Sequence, residues 1–203
     1  MEMIAISDNT ATDHLIHHVG RRKVEAWMAR HHGQPELNVP FLTAREFFGL
    51  KYGNDQELLQ RYVLATETDR RTILQKAALA EPIGFPSETP VAIDTVEWFA
   101  STDETCLLLF ALREMDGVAE STELMSVLTT RRRGIRLGPD HWKVVAYKGG
   151  RETGVLNLSW LLQRYDGRWY AVSATFNDSS EDIAEEQTSG LAVAAIRLLA
   201  SID

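Results

Sequence analysis

Two short polar motifs near opposite ends of the chain carry residue types that acyl chemistry needs. Ser7-Asp8-Asn9 precedes a predicted helix, and Lys148-Gly149-Gly150 follows the apolar run Val144–Ala146, which predicts a strand. A hydroxyl beside an amide can relay a proton and hold a peptide-like substrate. A lysine on an edge strand can bind a carboxylate, and glycines beside it let a ligand approach the backbone. The motifs therefore suit a protein that acts on, or binds, amides carrying an anionic group.

Both motifs also have an ordinary structural explanation. Serine, aspartate and asparagine are common N-cap residues, and the apolar spacing behind Ser7 predicts a helix over Thr10–Val19. Its inward-facing side chains would be Leu15, Ile16 and Val19. Lys148 and its glycines are equally compatible with a surface lysine at the glycine-rich end of a strand. Either motif alone is therefore compatible with a structural role.

A lysine-activated nucleophile is absent from the 203 residues. Activation of a serine by lysine needs both side chains on one helical face, which gives the spacing S-x-x-K. The residues three positions before the lysines are Gly20, Phe48, Ile73, Asp140 and Val145. None of them is Ser, Thr or Cys. We therefore expect the chain alone to form no covalent acyl adduct.

The string from Ser7 to Gly20, with its motif, helix and Val-Gly break, resembles the S-D-N segment of class A β-lactamases and other penicillin-recognising serine hydrolases. Lys148-Gly149-Gly150 stands where that family has K-T-G, on a strand before a hairpin and a C-terminal helix. The resemblance spans Ser7 to about Leu50 and Lys143–Asp203. Gly149 departs from the family's Thr or Ser, which removes a hydroxyl that could contact a substrate carboxylate.

The resemblance implies an acyl-transfer site for a small-molecule β-lactam or a cell-wall peptide-like amide or ester. Ser7 would relay a proton to the leaving nitrogen, and Lys148 would bind the substrate carboxylate. Arg151 would donate its backbone N–H as one half of the oxyanion hole, and Asn9 would orient the substrate amide. The implied substrate-binding residues are Asn9, Gly149, Gly150 and Arg151. The resemblance implies no cofactor or metal, and it implies export.

The segment Gln34-Pro35-Glu36-Leu37-Asn38 bears on the fate of an acyl-enzyme. Class A β-lactamases have E-x-x-L-N in a long loop, and Gln34 falls where that glutamate should be. Glu36 is a weaker alternative base. Without a base to activate water, an acyl-enzyme would persist, which favours a penicillin-binding or esterase-like role over fast hydrolysis. Two alternatives stay open: a non-catalytic module that binds cell-wall peptides or a protein partner, and an inactive fragment.

Composition narrows the function classes. Net charge is −8, which argues against broad nucleic-acid binding. Arg131–Arg133 with Arg136 forms a local basic cluster, which is either a solvated loop or an anion site.

Cys106 stands alone, so no internal disulfide forms, and its apolar neighbours predict burial. No apolar run approaches the roughly 18 residues of a membrane span. His14, His17 and His18 have the spacing of metal ligands but lack a partner motif, so surface histidines are favoured.

The order of the predicted elements indicates an α+β class, with a partial β-lactamase/transpeptidase-like fold. We expect a single domain over 1–203, mainly helical over 1–140, with antiparallel strands and a C-terminal helix over 141–203. The helical character of Met1–Ile6 suggests that an N-terminal segment is missing. The predicted helices are Thr10–Val19, Arg21–His31, one from a Thr43/Glu46 capping box, Asp55–Leu79 with a break at Thr66–Asp69, Ser101 to Met115, Ser121–Leu128 and Ser180–Leu199. Asp166-Gly167 predicts a hairpin turn between Gly154–Arg164 and Arg168–Phe176. Strict alternation in the first of these segments predicts that Leu156, Leu158, Trp160 and Leu162 share one face.

Overall fold

The computed structural model describes residues 1–81, 83, 87–116, 123–130, 135, 137–138 and 140–202, with the backbone alone at Gln56. The helices are α1 (Glu2–Ile6), α2 (Asn9–Val19), α3 (Arg21–His31), α4 (Ala44–Tyr52), α5 (Gln56–Leu64), α6 (Glu67–Ala77), α7 (Thr102–Met115), α8 (Leu124–Thr129) and α9 (Glu185–Ala200). The strands are β1 (Trp142–Glu152), β2 (Val155–Arg164) and β3 (Trp169–Asn177). The α+β prediction is confirmed.

The chain divides into two compact units. The first contains Met1–Ser7, Ser101–Asp178 and Asp182–Asp203, and the second contains Asp8–Ala100 with Ser179–Glu181. The first unit therefore holds α1, α7, α8, α9 and the strands, and the second holds α2 to α6.

An antiparallel sheet in the order β1-β2-β3 is the centre of the first unit. A two-residue connection, Thr153-Gly154, joins β1 to β2, with Gly154 at φ 81°, and four residues join β2 to β3. Gly167 at the predicted Asp166-Gly167 turn has φ 90°, a conformation that glycine adopts without steric cost. The turn prediction is confirmed.

The core of the first unit lies on one face of the central strand. Leu156, Leu158, Trp160 and Leu162 alternate along β2, and each is at most 2% exposed. They pack with three residues of α9, which are Ala192, Ile196 and Ala200. The predicted shared face is confirmed. Leu161 on the opposite face is also fully buried, which is expected of a central strand that α7 covers from the other side.

The second unit is helical, and its caps follow the sequence. Thr43 and Glu46 form the predicted capping box at the start of α4. The break between α5 and α6 is at Ala65 and Thr66, so it overlaps the predicted Thr66–Asp69 only at Thr66. Its core contains Phe47, Leu50, Leu58, Leu74 and other apolar residues of α4 to α6.

Some local expectations were wrong. Leu15 and Val19 are 41% and 44% exposed, and of the three residues assigned to the inner face of α2 only Ile16 is buried. The buried residue of α3 is Glu25, because the guanidinium of Arg71 pairs with it from α6. The final helix begins at Glu185, five residues later than predicted.

The remaining expectations concern Cys106, the basic cluster and membrane-spanning helices. Cys106 is half-buried rather than buried, and partial burial raises the pKa of its thiol. The basic cluster Arg131–Arg133 with Arg136 lies outside the described residues, as do Ser121 and Thr122 of the predicted short helix. Within the described parts of the chain, no helix is long and apolar enough to cross a membrane.

Candidate functional site

A cavity of about 240 Å³ in the first unit brings most of the predicted site residues together. Residues of four elements line it: Tyr147–Arg151 on β1, Leu156–Leu158 on β2, Ile4–Ser7 at the end of α1, and Glu185 at the start of α9. Five of the six predicted site residues are in this set. The sixth, Asn9, is the first residue of α2 and belongs to the second unit.

Ser7 reaches the cavity because α1 ends there. It is the C-cap residue of α1, with φ 56° and ψ 44°, and its backbone N–H donates to the carbonyl of Glu2. This left-handed conformation costs a non-glycine residue roughly 1–2 kcal/mol. The N-cap of α2 is the next residue, Asp8, whose carboxylate accepts from the Ala11 N–H at 2.6 Å. The helix-cap explanation therefore applies to Asp8, while the exposed Ser7 lines the cavity.

Lys148 gives the cavity a half-buried cation. Its Nζ donates to the Gly149 carbonyl at 2.6 Å, and burial away from water lowers the pKa of its amine. Among the described residues no carboxylate forms an ion pair with Lys148. An anionic ligand group would therefore gain a charge-assisted hydrogen bond without displacing a protein counter-ion.

The residue opposite Lys148 belongs to a polar row across the sheet. Ser159 pairs with Lys148 in the β1–β2 register, and its hydroxyl lies 3.0 Å from the Ser173 hydroxyl on β3. It also donates to the Asn157 side chain at 2.9 Å, and Asn157 donates to Thr175 at 2.8 Å. These hydrogen bonds fix the Asn157 amide, which lines the cavity opposite Gly150.

The two glycines differ in their surroundings. A Cβ added at Gly150 would have open space around it, whereas one at Gly149 would lie 3.0 Å from Cζ of Tyr147 and closer still to its hydroxyl oxygen. The Asn157 carbonyl would be 3.1 Å away. The departure from Thr or Ser at position 149 therefore coincides with a phenol that already fills this space.

Arg151 turns its side chain to acidic residues of the first unit. Its guanidinium pairs with Asp182 at 2.8 Å and Glu185 at 3.2 Å. All three side chains are substantially exposed, so each pair contributes at most about 1 kcal/mol. The role predicted for Arg151 concerned its backbone N–H, and the side chain connects β1 to the start of α9.

The segment Gln34–Asn38, which the sequence analysis compared with the E-x-x-L-N loop of class A β-lactamases, lies in the second unit. Pro35–Asn38 forms a 3-10 turn, and Gln34 and Glu36 are exposed. Asn38 is buried, and its side chain accepts from the Phe99 N–H and donates to the Phe99 carbonyl, both at 2.9 Å. These two hydrogen bonds give Asn38 a structural role at this position. Elsewhere, the His14 and His18 rings stack at 6.5 Å, and in the described ranges no three His, Cys, Asp or Glu residues could hold a metal ion.

Sequence reasoning missed Tyr147, Asn157 and Glu185 as lining residues. The Thr153-Gly154 dipeptide is a two-residue turn signal that would have paired Gly150 with Asn157. Tyr147 lies two residues before Gly149, so strand alternation places both on one face. No local signal places Glu185 beside β1, because that approach depends on packing of α9 on the sheet.

The comparisons with known proteins agree with this architecture. The chain belongs to the β-lactamase enzyme family, whose model matches residues 1–200. No curated protein matches the sequence significantly.

Two solved β-lactamases have a similar fold. The β-lactamase from Sphaerobacter thermophilus DSM 20745 is 21% identical, with 98% of this chain and 60% of that chain covered and a TM-score of 0.53. A variant of the TLA-1 extended-spectrum β-lactamase is 16% identical, with 98% of this chain and 62% of that chain covered and a TM-score of 0.55. At these identities the likeness establishes the fold alone. The chain spans about three fifths of the length of both proteins.

Proposed function

We propose that this chain contributes the walls of an acyl-transfer site for a β-lactam or a related amide or ester. The observation that carries the proposal is a shared cavity in the first unit, lined by both Ser7 and Lys148–Arg151. Membership of the β-lactamase enzyme family supports the substrate class. The nucleophile would come from residues outside these 203, because the sequence contains no S-x-x-K.

In this proposal each residue has one task. Lys148 binds the substrate carboxylate, since its amine has no protein counter-ion among the described residues. Ser7 relays a proton to the leaving nitrogen. Gly150 and the backbone of Arg151 admit and bind the acyl group, with the Arg151 N–H as one oxyanion donor. The proposal includes export, as its family resemblance suggests, with a β-lactam or a cell-wall peptide-like compound as the ligand.

A non-covalent binding module is the second candidate. Two sequence features favour it: the missing S-x-x-K, and Gly149 in place of the family's Thr or Ser. Such a module would hold the same ligands in the same cavity without chemistry. An inactive fragment would bind none of them.

Calorimetric titration with benzylpenicillin, combined with intact-mass measurement, tests the proposal. We expect binding without a mass increase, and a roughly tenfold loss of affinity in Lys148→Ala, because a hydrogen bond to a charged group contributes about 1.5 kcal/mol or more. Lys143→Ala is the matched control, since it removes an exposed lysine from the same strand. No binding, or equal effects of both substitutions, would contradict the proposed site.

The mass measurement separates the two candidates only when the nucleophile is present. If a longer chain that includes an S-x-x-K segment gains the mass of the penicillin, the acyl-transfer proposal holds. If such a chain binds penicillin with an unchanged mass, the binding module is the better description. A mass increase in the 203-residue chain itself would reveal a nucleophile that the sequence does not predict.

A further inference from the structure

Two polar rows cross the sheet beside the cavity, and both lie on the face of β1 that carries the Lys148 side chain. Residues directly opposite each other in antiparallel strands share a face, and so do residues two positions apart on one strand. The register gives two rows of three residues: Lys148, Ser159 and Ser173 in one, and Gly150, Asn157 and Thr175 in the other. The cavity is lined by Lys148, Gly150 and Asn157 from these rows. Its lining therefore includes a polar patch of the sheet.

The side-chain amide of Asn157 is held by its neighbours and keeps one acceptor site on its oxygen. Its Nδ2 donates to the Thr175 hydroxyl at 2.8 Å and to the Ser173 hydroxyl at 3.5 Å. Its Oδ1 accepts from the Ser159 hydroxyl at 2.9 Å, and no other group of the described residues donates to it. A carboxamide oxygen can accept two hydrogen bonds. Asn157 can therefore accept one N–H from a ligand in the cavity.

Gly150 leaves room between this oxygen and the amine of Lys148. It is opposite Asn157, and a Cβ added at Gly150 would meet no atom within 4 Å among the described residues other than its chain neighbours. The Lys148 amine donates to the Gly149 carbonyl at 2.6 Å, which brings it beside Gly150. Lys148 and Asn157 are diagonal neighbours in the register, a relation that separates two residues by about 7–8 Å. One small ligand can therefore contact both side chains.

Folding alone does not explain the polar rows. Ser159 is 3% exposed, and Leu161, which lies two positions further along the same face of β2, is apolar and fully buried. Replacing hydrogen-bonded partners by apolar groups of similar shape is often neutral or stabilising for a fold. The hydroxyls of Ser159 and Thr175 instead fix the direction of the Asn157 amide, and a fixed amide benefits a ligand that must be oriented.

We propose that Asn157 accepts the N–H of a ligand amide while Lys148 binds the carboxylate of the same ligand, above Gly150. The inference rests on the proposed function of the cavity and names the ligand class: an N-acylated amino acid with a free carboxylate, as at the end of a peptide. In benzylpenicillin the nitrogen next to the carboxylate-bearing carbon is the lactam nitrogen, which carries no hydrogen. Of the two proposed ligand classes, the site therefore favours the cell-wall peptide-like compound.

Two ligands that differ in one N–H test the assignment by calorimetric titration. They are N-acetyl-D-alanyl-D-alanine and its analogue methylated on the amide nitrogen beside the carboxylate-bearing carbon. The unmodified chain should bind the first roughly tenfold more tightly, because the analogue has no hydrogen to donate to Asn157. Asn157→Val removes the acceptor and keeps a residue that suits a strand, so the two ligands should then bind equally. The same preference in both proteins, or no preference in the unmodified chain, would overturn the assignment.

Gln163→Val is the matched control for Asn157→Val. Gln163 is also a carboxamide on this face of β2, but its Nε2 donates to the Gly167 carbonyl at 3.4 Å, and it does not line the cavity. Gln163→Val should keep the preference for the ligand with the N–H. If both variants lose the preference equally, removal of an amide from β2 is the cause, and the contact with Asn157 is contradicted.

Gly150→Ala tests where the ligand lies while leaving the hydrogen bonds of the polar rows in place. Its Cβ has open space, so the melting temperature should not fall. The added methyl group would occupy the room between Lys148 and Asn157, so N-acetyl-D-alanyl-D-alanine should bind severalfold more weakly. A folded Gly150→Ala variant with unchanged affinity would contradict a ligand above Gly150.

Lys148→Ala distinguishes failure of this inference from failure of the proposed function. If Lys148→Ala weakens binding of the peptide and Asn157→Val leaves the preference unchanged, the cavity binds the carboxylate without Asn157, and only the inference fails. Binding of benzylpenicillin without binding of the peptide has the same meaning. If the unmodified chain binds neither compound, or if Lys148→Ala changes neither affinity, the proposed function fails as well.

Discussion

The amine of Lys148 donates to the carbonyl oxygen of its own neighbour, Gly149, at 2.6 Å. The contact is local, and burial away from water is the cause that lowers the pKa of this amine. An uncharged ligand would leave this burial cost in place, whereas an anion would offset it. The charge of the proposed ligand should therefore change the pKa of Lys148, which can be measured by titration.

The first prediction concerns that titration. Reductive methylation with ¹³C-formaldehyde, followed by NMR, should give a Lys148 signal that titrates below the usual lysine value, with Lys148→Arg used to assign it. Benzylpenicillin should move the titration back toward higher pH, because a nearby carboxylate favours the protonated amine. A Lys148 signal that titrates at the usual value would contradict the burial of the amine. A titration that benzylpenicillin does not change would contradict the proposed contact between Lys148 and the ligand carboxylate.

The second prediction is the effect of this shift on stability. In the folded chain the pKa of Lys148 is lowered, so between that value and the usual 10.5 the unfolded chain binds more protons. The cost of burying the charged amine is therefore fully present below the folded pKa and disappears as pH rises to 10.5. Relative to Lys148→Met, the unmodified chain should gain stability across this interval in urea unfolding. A difference between the two that stays constant with pH would contradict the prediction.

The third prediction concerns an ion pair within the second unit. Both guanidinium nitrogens of Arg71 donate to Glu25, at 3.1 and 2.8 Å, and the Phe41 N–H donates to the same carboxylate at 3.0 Å. The Glu25 side chain is 8% exposed and that of Arg71 is 21% exposed. Glu25→Leu should lower the free energy of unfolding by about 3 kcal/mol, the low end for one broken buried pair, since Arg71 keeps some water.

A matched control separates this pair from a general effect of adding leucine. Glu57→Leu changes an exposed glutamate on α5, and substitutions at such positions stay within about 0.5 kcal/mol. Equal losses for Glu25→Leu and Glu57→Leu in urea unfolding would show that the ion pair contributes little.

The Glu25–Arg71 pair also shows where sequence reasoning reaches its limit. The Thr43/Glu46 capping box, the Asp166-Gly167 turn and the alternation along β2 depend on neighbours within a few residues, and each was predicted correctly. The burial of Glu25 on α3 was not predicted, because sequence patterns usually bury the apolar residues of a helix. A glutamate is buried there because the Phe41 N–H and an arginine 46 residues away in the sequence donate to it, and no local pattern reveals such partners.

The residues of the candidate site also include some that the sequence predicted and some that it did not. Ser7, Lys148 and the glycines were identified from motifs, and the structure brings them to one cavity. The sequence also identified the departure at Gly149, and there it predicted a missing hydroxyl. The sequence did not predict the Tyr147 phenol at this place, because its approach to Gly149 and its contact with Trp160 arise in the folded chain. Side-chain direction beyond strand alternation is decided by such tertiary contacts.

The fourth prediction uses two glycines of the first unit whose replacement by alanine should have opposite effects. Gly167 has φ 90°, so Gly167→Ala should cost about 1 kcal/mol in unfolding free energy. Gly190 lies within α9, is exposed, and has no atom within 4 Å of an added Cβ. Gly190→Ala should stabilise by about 0.5–1 kcal/mol, because alanine loses less backbone entropy in a helix. Stability changes of the same sign would contradict the left-handed turn at Gly167 or the helical backbone at Gly190.

The exposed surface of α7 is unusually apolar for a helix that packs on β3. Leu107, Leu108, Phe110 and Met115 are 68%, 37%, 36% and 54% exposed. The edge strand β3 contains no charged residue between Trp169 and Asn177, so it lacks a common protection against edge pairing. A cluster of exposed apolar residues beside such an edge favours association, whereas single exposed ones are ordinary.

The last prediction follows from this α7 surface. We expect the chain to bind 8-anilinonaphthalene-1-sulfonate and to self-associate as its concentration rises, because both processes cover exposed apolar area. Leu107→Lys should reduce both, as measured by dye fluorescence and light scattering. Leu64→Lys is the matched control, because Leu64 is 87% exposed in the second unit, away from this cluster in sequence. If the two lysine variants reduce association equally, general charge rather than the α7 surface governs it.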